Sequence, residues 1–538
     1  MQKIKNLLFV AIVATMVVAC NNDYEHYVPK LPEVPTEAIS FTEDELRVLT
    51  QMRNPGNRIC IDEATDIALD ALDFFGGGVF TRSGQPRTIA GVTALQSEPT
   101  IRMTTRSTDE GDIPVQMPDT VAFIFNFAGD EGFTIISADT RITSPVLAFV
   151  ESGYLDVNEE LDHPGLAIFL EGLEEYIEYS IIESEMLRRE LLVGIMEKLG
   201  QNKDEDVTTR WEWWDDFCPN CWVPIEWCGC PPSPFVLVSE ITENEIIPWT
   251  TVVHGPLLPV EWGQGFPFNH QVPLLCNNPD SPSLAGRAPA GCVATALSQI
   301  MAFHRHPTHL DNVFIDWNRL RNFTFTPKPR GHSGITGTQR TPLWDQRNRL
   351  NPEQIWFRDN VSFLMRRIGH HVKMNYGCTE SGASMSNAIA FLRWVGYTSD
   401  NERDFNTVAV VASLNLNRPV LISGFSTRNT FLGITVSRRD GHAWVVDGHL
   451  RLHRVTTTTV RTYQCFGTHR LLIDSFTTPP IHQSTTFLHN DWGWDGSKNG
   501  FFVAGSFNSN ETPVFGSGTR GNEGDFRYKI RVFTNIRR

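Results

Sequence analysis

The stretch APAGCVATALSQIMAFHRHP, residues 288–307, decides how this chain is read. Val293, Ala296, Leu297, Ile300 and Met301 fall at helical spacing, and Pro307 marks where that helix must stop. Cys292 therefore sits in the first turn, with only the small residues Ala290 and Gly291 just ahead of it. Two readings of this cysteine are open. Free cysteines are among the most buried residue types, and most buried thiols are inert. A thiol in the first turn of a helix also feels the positive end of the dipole and nearby unpaired amides, which favours the thiolate and lowers its pKa. The small residues before it let another segment of chain approach the sulfur closely.

A nucleophilic thiol needs a base, usually a histidine far downstream in sequence and adjacent in space. His442, in RRDGHAWVVDGH, follows a glycine at the start of a predicted strand and lies 150 residues after Cys292. A histidine in that role needs a group to fix its tautomer. HNDWGWDGSKNGFF, residues 489–502, reads as an aromatic hairpin that offers Asn490 or Asp491, with Trp492 able to shield the bond from water.

The rest of the chain sets the context. With 538 residues, 41% hydrophobic and 20% charged, it is long enough for two or three globular domains. A formal charge of -16 excludes the basic surface that nucleic acid requires. MQKIKNLLFVAIVATMVVAC places Lys3 and Lys5 ahead of an apolar run of signal-peptide length, too short to span a bilayer comfortably. Its ending resembles a bacterial lipoprotein signal, which implies lipidation at Cys20; a plain secretory signal is the alternative. Either way the protein is expected to leave the cytoplasm, as a surface or outer-membrane lipoprotein or as a periplasmic or secreted product. The lipid at Cys20 is the only membrane attachment expected. Of the ten cysteines, Cys218, Cys221, Cys228 and Cys230 crowd into FCPNCWVPIEWCGC, where local disulfides are favoured over zinc in an oxidising compartment.

Composition divides the chain into a leader (1–20), an N-terminal α+β unit (21–200), a Trp-, Cys- and Pro-rich connection (201–250) and a second α+β domain (251–538). In the first unit IDEATDIALDALDFF and residues 163–200 show helical spacing, and 119–153 alternate like a meander of strands. In the second, helical patterns at 292–305 and roughly 352–398 precede the strand-like RPVLISGF, GHAWVVDGH, RLLIDSF and GFFVAG. His304, His306 and His309 cluster after the Cys292 helix, but no carboxylate or thiolate completes a metal set, and neither metal nor cofactor is expected.

WGQGFPFN, AGCVATALSQIM with HRHP, MNYGCTESGA, RPVLISG, GHAWVVDG and NDWGWDG occur in the order found in the streptopain family of papain-like cysteine peptidases. The resemblance covers 251–505. GFTIISADTRITSPVLAFVESG and the helix after it resemble that family's propeptide. The fold so implied is α+β, a papain-like catalytic domain with a helical part and an antiparallel sheet part, preceded by a smaller α+β prodomain. The implied activity is hydrolysis of protein or peptide substrates by an endopeptidase made as a zymogen, with the prodomain as intramolecular inhibitor. Carried over by position, Cys292 is the nucleophile, His442 its ion-pair partner, and Gln264 with the Cys292 amide the oxyanion hole. Trp492 covers the histidine, and Ser381, Gly382 and Ala383 line a pocket that favours apolar side chains before the scissile bond. Asp491 stands where the family commonly has Asn, so the orienting role lies between Asp491 and Asn490. The 49 residues between His442 and Trp492, with VTTTTVRTY among them, include an insertion expected as a loop or hairpin. A catalytically silent surface-binding lipoprotein on the same scaffold is the competing expectation.

Overall fold

The computed structural model describes residues 41–51, 56–75, 87–97, 101–104, 113–198, 237–275, 286–325, 350–426, 430–436, 441–466, 469–507 and 530–538. Cys20 and the cysteines at 218–230 lie outside them. No helix among the described residues is long and apolar enough to cross a membrane.

The N-terminal part contains α1 (Glu43–Gln51), α2 (Ile61–Phe74), four strands of the main sheet, β1 (Ile89–Gln96), β2 (Thr120–Phe127), β3 (Phe133–Ser137) and β4 (Val146–Val150), a separate pair of short strands at Ile101–Thr104 and Ile113–Gln116, and α3 (Pro164–Lys198). In α2 the buried residues Ala64, Ala68, Ala71 and Leu72 form one stripe, while Asp62 and Glu63 occupy its first turn. That is the amphipathic pattern, with acids at the positive end of the dipole. Pro164 opens α3, where a missing N–H costs nothing. His163 caps it, its Nδ1 accepting from Leu166 N at 3.0 Å. At 1.5 Å per residue, the 35 residues of α3 reach about 52 Å.

In the C-terminal part the helices lead and the sheet follows. α4 (Cys292–His304) is buried from Cys292 through Ala302. Against it lie α5 (Pro352–His371) and α6 (Met385–Trp394), and α7 (Thr407–Asn415) precedes the sheet strands. The helical pattern read over 352–398 is thus two helices, interrupted by a short hairpin pairing Asn375–Tyr376 with Ser381–Gly382. The strands are β5 (Leu237–His254), β6 (Val420–Phe425), β7 (Gly441–Phe466), β8 (His469–Thr477), β9 (Ile481–Asp491), β10 (Gly500–Val503) and β11 (Arg531–Phe533).

One antiparallel sheet runs through both parts in the order β1-β2-β3-β4-β10-β9-β7-β6-β11, ending on Arg403–Asp404, with β5 and β8 also paired to β7. The two parts join where β4 pairs with β10, Phe149 opposite Phe501. Gly500 lets the backbones meet there, because a Cβ would lie 2.3 Å from the Phe149 carbonyl oxygen. A single apolar core accordingly contains Phe149, Leu166 and Phe169 from one part and Trp444, Trp492 and Phe502 from the other. The helices around α4 enclose a second core.

One expectation differs from this arrangement. The connection expected over 201–250 is already strand from Leu237, so the boundary at 250 falls inside β5. Charged residues and Pro248 hide the alternation in LVSEITENEIIPWTTVVH, and its pairing with β7 from Leu237↔Gln464 to His254↔His449 supplies the order. The insertion after His442, expected as a loop or hairpin, is a long hairpin, whose strands pair down to Phe466↔His469. It continues the strand that begins at Gly441 as the 26-residue β7, flanked by β8 and β9, and forms a long arm beyond the sheet.

Candidate active site

Cys292 lies where the spacing places it, at the start of α4. Gly291 caps this helix at φ 96° and ψ 137°, a conformation L side chains rarely adopt. A Cβ at Gly291 would lie 2.6 Å from the Met374 methyl and 2.9 Å from the Ser381 carbonyl oxygen. The close approach expected at this point is therefore made by the 375–382 hairpin and the residue before it. Ser381 is buried there, Gly382 faces open space and Ala383 is half-buried, so the three residues edge the mouth of the site.

His442 begins β7, opposite Gly424 of β6. The backbone amides of Ala443, the residue after His442, and of Val293 and Cys292 lie toward the Cys292 sulfur and oppose the rise that burial imposes on its pKa. Helix start and strand start thus meet at the thiol. The His442 Nε2 donates to the Trp492 carbonyl oxygen at 2.8 Å. A carbonyl only accepts, so the proton is on Nε2 and Nδ1 is left as the base. The ring stacks on Trp444 at 5.8 Å and 11° and lies 6.5 Å from Trp492.

Neither polar candidate from the hairpin bonds to this ring. Asn490 accepts from Trp444 Nε1 at 2.7 Å and donates to the Leu488 carbonyl at 2.9 Å, so it holds the tryptophan on which His442 stacks. Asp491 accepts from Gly493 N at 2.9 Å and bonds to the Gln299 amide on α4. It ties the hairpin to the cysteine helix. Burial first, and the nearby Asp447 second, push its carboxyl up to about 7. Trp492 is fully buried, with its indole N–H on the Lys498 carbonyl at 2.9 Å.

Gln264 is stitched beside the thiol through its backbone, its carbonyl accepting from Ala290 N at 2.8 Å. Thr295 Oγ1, one turn along α4, donates to Gly291 O at 3.1 Å and contacts Gly263 O at 3.3 Å. Gly263 also allows the hairpin to close in, since a Cβ there would meet the Asp495 carboxylate at 2.6 Å.

The electrostatics differ from the expectation of a low thiol pKa. Cys292 is 9% exposed, and burial pushes its thiol up despite three amide donors. Burial also lowers His442 to about 4. In this covered form both groups are held neutral, because removing a charge from water costs more than the helix N-terminus returns.

Sequence reasoning missed one contributor from the N-terminal part. His163 stands edge-on to the Trp492 ring at 6.1 Å and lies 5.5 Å from Trp494. Burial, then Lys498 and His442, hold it well below 6.5. Next to it, Gly165 touches Trp492 so closely that a Cβ would lie 2.3 Å from the ring. The HPG triplet before a helical run was the available signal, as a capped helix start whose glycine serves a contact.

Several of the other described cysteines and histidines have partners elsewhere or are free. Cys378 is disulfide-bonded and Cys60 is free. His306 Nε2 meets the Val395 carbonyl at 2.7 Å, and His304 packs edge-on against Tyr397. Among the described residues no group of three ligating side chains is placed to hold a metal.

A free cysteine at a helix N-terminus facing a strand-borne histidine, between a helical part and an antiparallel sheet, defines a papain-like cysteine peptidase. Residues 262–502 match the Peptidase C10 family model, and residues 94–177 match that of the Spi protease inhibitor. The chain is a cysteine peptidase similar to the Peptidase C10 family, with an N-terminal part similar to the Spi protease inhibitor. It is 22% identical over 473 residues to streptopain of Streptococcus pyogenes, covering 83% of this chain and 89% of that protein. It is 23% identical over 459 residues to the thiol protease/hemagglutinin PrtT of Porphyromonas gingivalis, 82% of this chain and 40% of that one. A solved prointerpain A fragment from Prevotella intermedia is 16% identical with a TM-score of 0.38, over 81% of this chain and 98% of the fragment.

Proposed function

We propose that this peptidase is an exported endopeptidase, lipid-anchored through Cys20 and made as a zymogen, in which Cys292 and His442 carry the reaction. The observation that supports this most is the packing of α4, which starts at Cys292, against β7, which carries His442 at its start. Removal of the prodomain readmits water and substrate, and the charged pair becomes affordable once solvent and a substrate dipole stabilise it.

His442 Nδ1 takes the Cys292 proton, and the thiolate adds to the scissile carbonyl carbon. Negative charge builds on the carbonyl oxygen, where the Cys292 amide and the Gln264 side chain act as donors, each worth about 3 kcal/mol of barrier. The C–N bond breaks as His442 returns the proton to the leaving amine. Water, deprotonated by the same Nδ1, then hydrolyses the thioester and restores the thiol. The Trp492 carbonyl holds Nε2–H throughout, keeping the tautomer that leaves Nδ1 basic. Ser381, Gly382 and Ala383 are the pocket for the residue before the scissile bond, and their small side chains leave room for an apolar one. Cleavage within 201–236 separates α3 from β5. Hydrolysis of casein by the processed protein should disappear in Cys292→Ala; activity equal to the parent would overturn the assignment.

A further inference from the structure

The arm formed by β5, β7, β8 and β9 carries a third apolar core, separate from the two cores around the active site. Val460 and Ile481 of the arm are buried in it, with Ile241 and Phe476 packed alongside. All of its other members come from the prodomain. They are Leu46, Val48 and Leu49 of α1, Leu192, Ile195 and Met196 at the far end of α3, and neighbours such as Phe41. Phe41 stacks on Phe476 with centroids 5.4 Å apart and planes at 14°. Thr50 Oγ1 meets Thr458 Oγ1 at 3.4 Å, in the middle of the Thr-rich run. Lys198 of α3 binds Glu45 of α1 at 2.7 Å, so the two helix ends dock as a unit.

Both sides of this contact lie apart from the recognisable inhibitor. The Spi-type match covers 94–177, which contains neither α1 nor the last turns of α3. On the arm side, the strands supplying Val460, Phe476 and Ile481 are the insertion between His442 and Trp492. Two segments that the shared core of the fold does not need therefore bury each other's apolar faces. With α3 about 52 Å long, this contact is remote from the Gly165 contact with Trp492.

We infer that the arm is a retention site for the prodomain. It binds the α1/α3 end of residues 41–198 and keeps the prodomain attached after the chain is cut between α3 and β5. The inference rests on the zymogen reading above. Cleavage at the linker removes only the covalent link, and the second contact converts rebinding into a local event at high effective concentration. Activation then requires a further step, namely cuts within α1 or α3, or their displacement from the arm.

The test uses the full chain carrying Cys292→Ala, to prevent self-processing, with a site for an unrelated specific protease introduced into 201–236. After complete nicking and dilution, loss of the 41–198 fragment is followed by gel filtration over time. The parent should stay joined, and Val460→Asp should shed the fragment at least tenfold faster. Phe476→Ala is a milder variant on a half-buried residue, and with Phe41→Ala it forms a double-mutant cycle. The two single changes should each speed release severalfold and the pair no more than either alone. Release from Val460→Asp and Phe476→Ala at the parent's rate, or a parent that separates as fast as the variants, overturns the inference. Association is read without any peptide hydrolysis, so failure of this proposal is distinguishable from failure of the zymogen reading. In processed chains with Cys292 intact, both arm variants should hydrolyse casein at the parent's rate.

Discussion

The two ends of α3 hold the same prodomain to the same peptidase by different means. At the N-terminal end the contact is tight and mixed in chemistry: Gly165 lies flat on Trp492, His163 stands between two tryptophans, and neutral Cys292 and His442 lie close by. At the C-terminal end the contact is aliphatic and aromatic, with Leu192, Ile195 and Met196 against Val460 and Ile481. The first contact depends on shape at one glycine and on the protonation of buried groups. The second scales with apolar area and fades as side chains are cut back. A lock near the chemistry and an anchor far from it can thus be broken separately.

The largest effect is expected at Asp491, which ties the tryptophan hairpin to α4. Its folded pKa is raised from 3.8 to about 7. Below the unfolded value both states are protonated and the group contributes nothing. As pH rises past 3.8 the unfolded chain ionises freely while the native state resists, so stability falls until about pH 7 and then levels off. At about 1.4 kcal/mol per unit, the cost above pH 7 is on the order of 4 kcal/mol. Asp491→Asn keeps an acceptor for Gly493 N–H and adds a donor beside Gln299 Oε1, which is buried without a partner. Denaturant unfolding should show the variant ahead of the parent at pH 8 and the gap closing toward pH 4. A gap that does not change with pH would show that the carboxyl titrates alike in the native and unfolded states, so that burial does not raise it.

Ile195 and Gly165 test the two ends directly. Ile195 is fully buried at the distal end, and truncation to Ala should cost about 3 kcal/mol of precursor stability. Gly165→Ala should cost about 2 kcal/mol by overpacking, since Trp492 is itself enclosed and cannot easily move away. Their consequences should separate. Gly165→Ala should bring on thiol labelling of Cys292 in the uncut precursor, whereas Ile195→Ala should leave the thiol protected. Equal labelling of both would mean that the prodomain moves as one rigid lid.

The sequence was most legible where a residue type has one local reason to be there. The α4 pattern, the glycine before Cys292, the strand start at His442 and the amphipathic stripe of α2 all survive into the structure, because 3.6- and 2-residue periods report which face is buried. The order of motifs also pointed to Trp492, whose carbonyl accepts from His442, and to Gln264, whose carbonyl accepts from Ala290 N two residues before Cys292. What could not be read depends on partners far away in the chain. β5 looked like linker because its order comes from pairing with β7, two hundred residues later. The expected low thiol pKa followed from the helix end alone, and a tertiary effect, burial, outweighed it. The choice between Asn490 and Asp491 assumed a side-chain partner for His442, whereas the bond goes to a backbone carbonyl, which every residue possesses.

The smallest effect is expected where the two parts of the chain join. His489 of β9 is buried between Asp447, at 2.6 Å, and the prodomain residue Glu151, at 3.6 Å. Burial alone would lower it, but Asp447 and Glu151 together hold it well above 6.5. The sign follows from that direction. The stabilisation is complete below pH 6.5, where His489 is charged in both states, and is lost as pH rises through the raised native value. Asp447 belongs to the peptidase and remains when the prodomain leaves, so Glu151 supplies the part that depends on the junction. That carboxylate is 33% exposed, and solvent limits its share to about 1 kcal/mol or less. Glu151→Gln should therefore speed release of the nicked prodomain only a few-fold at pH 6, and the difference from the parent should shrink toward alkaline pH as His489 loses its charge.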